Sequence, residues 1–277
     1  MSQGQSNIVE HYATSGILGR LEASLTADGA DPAHPTIEAL APYDHFHGRG
    51  LDATEDMAAL VPVRTIDHVL DVGSGLGGPA RWLAKRFGCS VTGIDLTSEY
   101  CAIAQHLTRL LGLEDRVRFH VGNALEMPFD DGSFDGAYSM FVSMNIADRG
   151  ALYREIRRVL RPDSWLVLSE IARGDAGGVA YPLPWAATAA DSFLVTPADT
   201  QRELQKAGFE VEQVKNELNR SLAFAAQSKA MMERGEKPPY RANALIHSAM
   251  AGVTLANVAR GYKDGSLVPI EILARKR

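Results

Sequence analysis

VLDVGSGLGGPARWLA, residues 69–84, reads as a buried strand, a glycine-rich turn and the opening of a helix. Four residues set its meaning: Asp71, Gly73, Gly75 and Gly77. Such a turn at the carboxyl end of a strand lets backbone approach a ligand closely, and the helix N-terminus behind it favours polar or anionic groups. Asp95 closes the next strand twenty residues after Gly75, where a carboxylate can accept both hydrogen bonds of a ribose diol. Gly73, Gly75 and Gly78 also satisfy the dinucleotide pattern G-x-G-x-x-G, so this turn alone leaves an NAD-dependent oxidoreductase open. Asp71 tips the balance. An ammonium-bearing ligand would pair with it directly or through water, whereas a pyrophosphate would be repelled.

Outward from the turn, the chain alternates. A helix fits 78–87, with Pro79 suited to its first turn, and SVTGID (90–95) is a second strand. Ser98 is expected to cap a helix running to about Leu111, followed by strands RVRFHVG (116–122) and FDGAYSMF (134–141). A helix at 149–160 and the strand SWLVLSEI (164–171) complete the run. Repeated strand–helix units with aliphatic strands imply a parallel sheet covered on both faces, and crossover handedness favours double winding. Residues 172–196, rich in glycine, proline and aromatics, suit a surface loop or lid. The pattern resumes with a helix at 197–207, a stop at Gly208 and the strand FEVEQV (209–214). Helical patterns at 222–233 and 242–262 precede the last strand, LVPIEILAR (267–275).

Upstream, residues 7–27 show helical spacing interrupted by Gly16 and Gly19, followed by a turn-rich linker at 27–36. PYDHFHGRG (42–50) crowds two histidines, two aromatics, an arginine and an aspartate together, and a helix fits 51–60 before Pro62. The expected architecture is α/β: a Rossmann-like, seven-stranded, mostly parallel sheet with a helical N-terminal cap and a helical insertion before the last strand. Residues 1–62 read as the cap and 63–277 as the core, with the lid at 172–196 and the insertion at about 218–264, packed over the same sheet edge as the cap.

Bulk properties narrow the partners. The chain has 277 residues, 45% of them hydrophobic and 22% charged, as in ordinary soluble domains. A net charge of −6 argues against a nucleic-acid surface, and the cluster Arg154, Arg157, Arg158 and Arg161 reads as a solvated helix face beside Glu155. Cys89 and Cys101 read as small core residues, with no disulfide framework or zinc spacing. The polar N-terminus lacks a leader pattern, and no apolar run is long enough for a membrane span, so a cytoplasmic protein without a membrane partner is expected.

The pieces LDVGSGLGG (70–78), GIDLT (93–97), GNALEMPFDDGSFD (122–135) and EIRRVLRPDSWLVLSE (155–170) together resemble the class I S-adenosylmethionine (SAM)-dependent methyltransferases of type 11. The resemblance implies SAM as cofactor and S-adenosylhomocysteine (SAH) as product. It places Gly73, Ser74, Gly75 and Gly77 along the methionine part, Asp95 on the ribose hydroxyls and Leu96 against the adenine. Asn123 and Ala124 would sit at the adenine edge, with Leu125 and Met140 beside the cofactor. Asn123 stands where the family usually has Asp, and an amide oxygen keeps the accepting role with less charge assistance. RPDSW departs from the common RPGG turn, remote from the cofactor. YDHFHGRGLDAT (43–54), SMNIADR (143–149) and residues 181–209 are similar to pieces of sarcosine/dimethylglycine N-methyltransferases.

In such folds the acceptor meets the cofactor at the carboxyl ends of the strands, under the cap. His45 and His47 are candidates for a proton acceptor or a contact to the SAM carboxylate, set against a pair of structural imidazoles. Tyr12 would close over the sulfonium or simply pack its helix. Asn145, after the fourth strand, is a candidate because a buried amide without a partner is costly, and Met144 stands beside it. Tyr181 and Trp185 would build an aromatic wall or pack the lid, and Arg49 would meet an acceptor carboxylate. His11, His68, His106 and His120 read as structural. No metal-ligand cluster stands out, which disfavours metal-assisted O-methylation of a catechol. The expectation is methylation of a small molecule, an amine such as sarcosine or dimethylglycine. Its alternatives are O- or C-methylation of an aromatic or quinone-like metabolite, an NAD-dependent oxidoreductase, and a non-catalytic SAM-binding protein. A homodimer is compatible with each.

Overall fold

A computed structural model describes residues 16–247 and 250–277. Seven strands form one sheet: β1 (His68–Val72), β2 (Ser90–Asp95), β3 (Val117–Val121), β4 (Phe134–Met140), β5 (Leu160–Arg173), β6 (Phe209–Asn216) and β7 (Leu267–Lys276). Their order is β3-β2-β1-β4-β5-β7-β6, parallel throughout except β7, which runs antiparallel to both β5 and β6. The order reverses at β1, which lies between β2 and β4, and ligands gather outside the strand ends at such a switch point.

Period-two alternation sends successive residues to opposite faces. Leu70, Val72, Leu166 and Leu168 enter one apolar core, which α6 (Arg149–Val159) and α7 (Pro197–Lys206) cover with Leu152, Ile156 and Leu204. Val69, Val91, Trp165 and Val167 enter the other, covered by α3 (Leu51–Ala59), α4 (Gly78–Phe87) and α5 (Ser98–Leu110). Above the carboxyl ends lies a third cluster. There α1 (Ile17–Ala27), α2 (Ile37–Asp44) and α9 (Ala242–His247) bury Ile17, Leu21, Leu40 and Leu245 against Leu76 of the glycine turn and Tyr100 and Ile103 of α5. Insertion and cap are tied directly: Arg241 N donates to Pro42 O at 2.7 Å, and its guanidinium lies 4.6 Å over the Tyr43 ring.

Several local expectations are corrected. Ser98 is the first residue of α5 rather than its cap, a position held by Thr97. The single apolar pattern at 242–262 forms two segments, α9 and α10 (Ala251–Asp264). The other helix of the insertion, α8 (Leu218–Glu233), begins earlier than its apolar pattern. Helix α2 was hidden in sequence by Pro42 inside its last turn; Thr36 starts it by accepting from Ala39 N at 3.2 Å. The RPDSW turn holds Asp163 at φ +60°, in the left-handed region where the family's usual glycine is strain-free. The arginines of α6 are engaged locally: Arg158 pairs with Glu155 and Asp131, each at 2.7 Å, and Arg157 donates to Gly208 O. Cys89 and Cys101 are buried, and burial pushes their thiols up to about 11 and about 12. Among the described residues no helix is long and apolar enough to cross a membrane.

The lid expected from residue 172 begins after Arg173, where β5 ends, and its middle is interior wall: Leu183, Trp185 and Ala186 are buried with Met144, Ile171 and Leu267. Its far end is held by a buried ion pair. Arg149 Nη1 donates to Glu170 Oε1 at 3.1 Å, its Nη2 donates to Phe193 O at 3.1 Å, and the Thr200 hydroxyl donates to Glu170 Oε1 at 3.2 Å. Burial pushes the Glu170 carboxyl up, opposed by Arg149 and Thr200. Removing one partner strands the other charge in the core. Arg149→Met is therefore expected to cost about 3–5 kcal/mol in urea unfolding, with most of the loss recovered by adding Glu170→Leu. An unchanged midpoint in the single variant would contradict this role.

Candidate active site

The glycine turn is shaped by three different demands. Gly73 has φ +77°, and a Cβ there would meet Val142 Cγ2 at 2.3 Å, so only glycine lets the loop after β4 come this close. Gly75 faces open space, where a Cβ would meet no atom within 4 Å, and its N–H donates to Asp95 Oδ2 at 2.8 Å. Gly77 is different from what the resemblance implied. A Cβ on it would strike Phe119 Cζ at 2.3 Å, so it packs against β3 and is absent from the cavity wall.

Over this turn lies a cavity of about 430 Å³, in the range of small-molecule sites. Every other residue expected at the cofactor lines it: Asp71, Gly73, Ser74, Gly75, Asp95, Leu96, Asn123, Ala124, Leu125 and Met140. Asp95 Oδ1 accepts from Thr97 N at 2.8 Å, so each carboxylate oxygen is fixed by one backbone N–H and keeps capacity for another donor. Burial raises its pKa, partly countered by those backbone bonds. Asn123 Oδ1 accepts from Leu125 N at 3.0 Å, which fixes the amide at the cavity edge.

Two orphaned groups point to a polar ligand at the turn. Asp71 Oδ2 and Ser74 Oγ are buried without a hydrogen-bond partner among the described residues. Burial pushes the Asp71 carboxyl up to about 7, with the Tyr138 hydroxyl beside it pulling down and the Asp95 charge adding to the rise. A bound ammonium would restore the ionised form. The turn, the two orphans and the fixed Asp95 carboxylate fit the amino-acid, sulfonium and ribose parts of SAM.

The acceptor candidates separate. His47, Met144, Asn145 and Trp185 line the cavity, whereas His45, Arg49 and Tyr181 do not. Tyr12 and His11 lie outside the described residues. His45 is fully buried behind the wall, with Nδ1 2.8 Å from Asp44 Oδ1. Arg49 is committed to Asp56 Oδ2 at 2.6 Å and faces Glu217 Oε2 at 3.7 Å, so it is not available to an acceptor carboxylate. Tyr181 is partly buried and packs against the lid cluster. His47 is held neutral, its pKa pushed down to about 3 by burial beside His45. Its Nε2 lies 3.2 Å from Thr54 Oγ1 and its Nδ1 3.4 Å from Gly48 O, and its ring stacks on Phe141 at 6.1 Å. Held neutral, it presents an aromatic face to the cavity. Asn145 Nδ2 donates to Val142 O at 3.3 Å, giving its amide a structural partner.

Sequence reasoning missed most of the remaining wall. Leu255, Val258 and Tyr262 share one face of α10 at i, i+3, i+7 spacing, whereas Phe46, Phe141, Ile171, Phe193 and Tyr240 come from separate segments that no sequence spacing links. No lysine or arginine lines the cavity among the described residues.

Residues 70–168 match the family model described as a methyltransferase domain. A Streptomyces halstedii protein named methyltransferase GfsG is 38% identical over 128 residues, covering 46% of this chain and 46% of that one. The 24-methylenesterol C-methyltransferase 2 of Arabidopsis thaliana is 40% identical over 123 residues, covering 43% of this chain and 34% of the plant protein. The chain thus spans about half or less of the length of the curated relatives it matches. Among solved structures, the [4+2]-cyclase SpnF superposes with TM-score 0.65 at 24% identity, covering 94% of each chain, a likeness of fold. The matched core is similar to that of the class I SAM-dependent methyltransferase superfamily. SAM and SAH are the cofactor and product that go with it.

Asp71 gives this assignment a pH signature. Below its pKa the unliganded site carries a proton that an ammonium must displace, so SAH affinity is expected to rise with pH through about 7. Calorimetric titrations from pH 6 to 8 should show a change approaching about tenfold per unit on the acid side. Asp71→Asn should bind more weakly and flatten the profile, and a wild type indifferent to pH would contradict the pairing.

Proposed function

We propose that this chain transfers a methyl group from SAM to an apolar small molecule that carries no carboxylate, at a phenolic or enolic oxygen or an activated carbon. One observation carries the reading: beyond the cofactor end, the cavity wall is built from Phe46, Phe141, Met144, Ile171, Trp185 and Val258, with no basic side chain among the described residues. A sarcosine or dimethylglycine carboxylate would have to leave water without meeting a cation, a costly transfer. The arginine nearest in sequence to that role is engaged with Asp56. The apolar character also agrees with the acceptor class named for the Arabidopsis relative, a sterol.

SAM, when bound, supplies a methyl group already activated on a sulfonium. The protein's share is therefore alignment and exclusion of water. Asp95 and the backbone of the turn would fix the ribose and methionine parts, and Asp71 the ammonium. The wall from Phe46, Phe141 and Trp185 would press the acceptor against the methyl and keep water out. His47, neutral and bonded through both ring nitrogens, adds surface and takes no proton. The nucleophile must then be an atom that needs no strong base, such as a phenol or enol of low pKa or an electron-rich carbon.

Incubation with methyl-labelled SAM distinguishes these acceptors. Alkylated phenols and enolisable diketones are expected to take label, while sarcosine and dimethylglycine stay unlabelled. Label on the two amino acids at rates matching or exceeding the apolar set would overturn the proposal.

A further inference from the structure

Tyr262 is a polar group in the apolar end of the cavity that no described residue engages through its hydroxyl. It lines the cavity from α10, packed against the cluster of Met144, Ile171 and Trp185. Its hydroxyl has no hydrogen-bond partner among the described residues. The other polar groups of that end each have a partner within the fold. Asn145 donates to Val142 O, Trp185 Nε1 donates to Ser192 Oγ at 3.0 Å, and Asp148 accepts from Ala151 N at 2.8 Å as the cap of α6. His47 is bonded to Thr54, and Tyr240 has partners of its own.

The position of this phenol is fixed from two sides. Gly261 lets α10 lie directly on β7, since a Cβ there would meet Leu267 Cγ at 2.6 Å. One turn earlier, Asn257 Nδ2 donates to Pro182 O at 2.9 Å, which fastens the same helix to the lid. Burial drives the phenol's pKa upward, only partly opposed by the Arg49 charge, so the hydroxyl keeps its proton at neutral pH. Tyr262 is half-buried, so its hydroxyl opens into the cavity, where an apolar ligand that fills the space must offer it an acceptor or leave it unpaired.

We propose that Tyr262 orients the acceptor, donating a hydrogen bond to an oxygen atom carried by an otherwise apolar molecule. The proposal rests on the reading of this cavity as a methyl-acceptor site and adds the functional group that the acceptor must carry. It makes Tyr262 a discriminating residue as well. A pure hydrocarbon would strand the hydroxyl, and a site built around a hydrogen bond rejects an analogue that lacks it more strongly than shape alone does.

The test uses the full chain saturated with SAH and two probes of nearly equal shape, 4-propylphenol and 4-propyltoluene, followed by calorimetry. Wild type is expected to bind the phenol about five- to tenfold more tightly than the hydrocarbon. Tyr262→Phe should erase that preference while leaving SAH affinity and 4-propyltoluene affinity unchanged, since the hydroxyl makes no bond among the described residues. Val258→Ala, a change in the same wall, should weaken both probes alike and keep the preference. A preference that survives Tyr262→Phe, or is lost in Val258→Ala, would overturn the assignment, as would a wild type that binds SAH and neither probe. Failure of wild type to bind SAH would instead overturn the methyltransferase reading itself.

Discussion

The guanidinium of Arg81 is the constraint on which the site depends. Buried at 1% exposure, its Nη2 donates to Asp44 Oδ2 at 2.8 Å and to Leu76 O at 2.6 Å, and its Nη1 donates to Ala104 O at 3.1 Å. Those partners belong to the cap, the glycine turn and α5. One side chain therefore joins the element that covers the cavity, the backbone that would hold the cofactor and the helix behind the second strand. Burial alone would push the Asp44 carboxyl up, but His45 and Arg81 outweigh it and hold it down. Such a pair contributes little net stability, because desolvation offsets attraction, yet breaking it is expensive. Its effect is to fix register between cap and turn.

From that register follows a cavity with two chemistries. At the turn, carboxylates and backbone amides meet open space, and Asp71 and Ser74 hold unsatisfied oxygens. Beyond Met140 the wall turns aromatic and aliphatic, and its histidine is neutral. A cationic, polar donor and an apolar acceptor would sort themselves into such a space without further steering. With SAM bound, the protein would supply geometry and dryness where the donor supplies reactivity, which is the division of labour that methyl transfer asks for. The fold alone does not decide this, since the same architecture serves a protein described as a cyclase.

The sheet was legible because its signals are local. Strands such as VLDV and WLVLSE alternate between two cores, and the helices between them begin and end at residues with special backbone geometry, as Gly77 and Gly88 do around α4. The cofactor residues were legible for the same reason, each lying at the end of a strand. Gly77 shows the limit, since a motif glycine serves a ligand or a packing contact and only Phe119, forty-two residues away, decides which. The acceptor wall was largely illegible because α10, Tyr240 and Phe193 meet the loop after β4 only in space. Arg49 misled in the same way: its partners Asp56 and Glu217 come from α3 and the start of the insertion.

The turn at 73–77 is shaped for a sulfonium-type amino-acid nucleoside and not for a dinucleotide. Parallel calorimetric titration of the wild-type chain with SAH and with NAD at pH 8 tests it most directly. Saturable one-to-one binding of SAH with no heat from NAD is the result this account predicts. Tight NAD binding with no binding of SAH would contradict it.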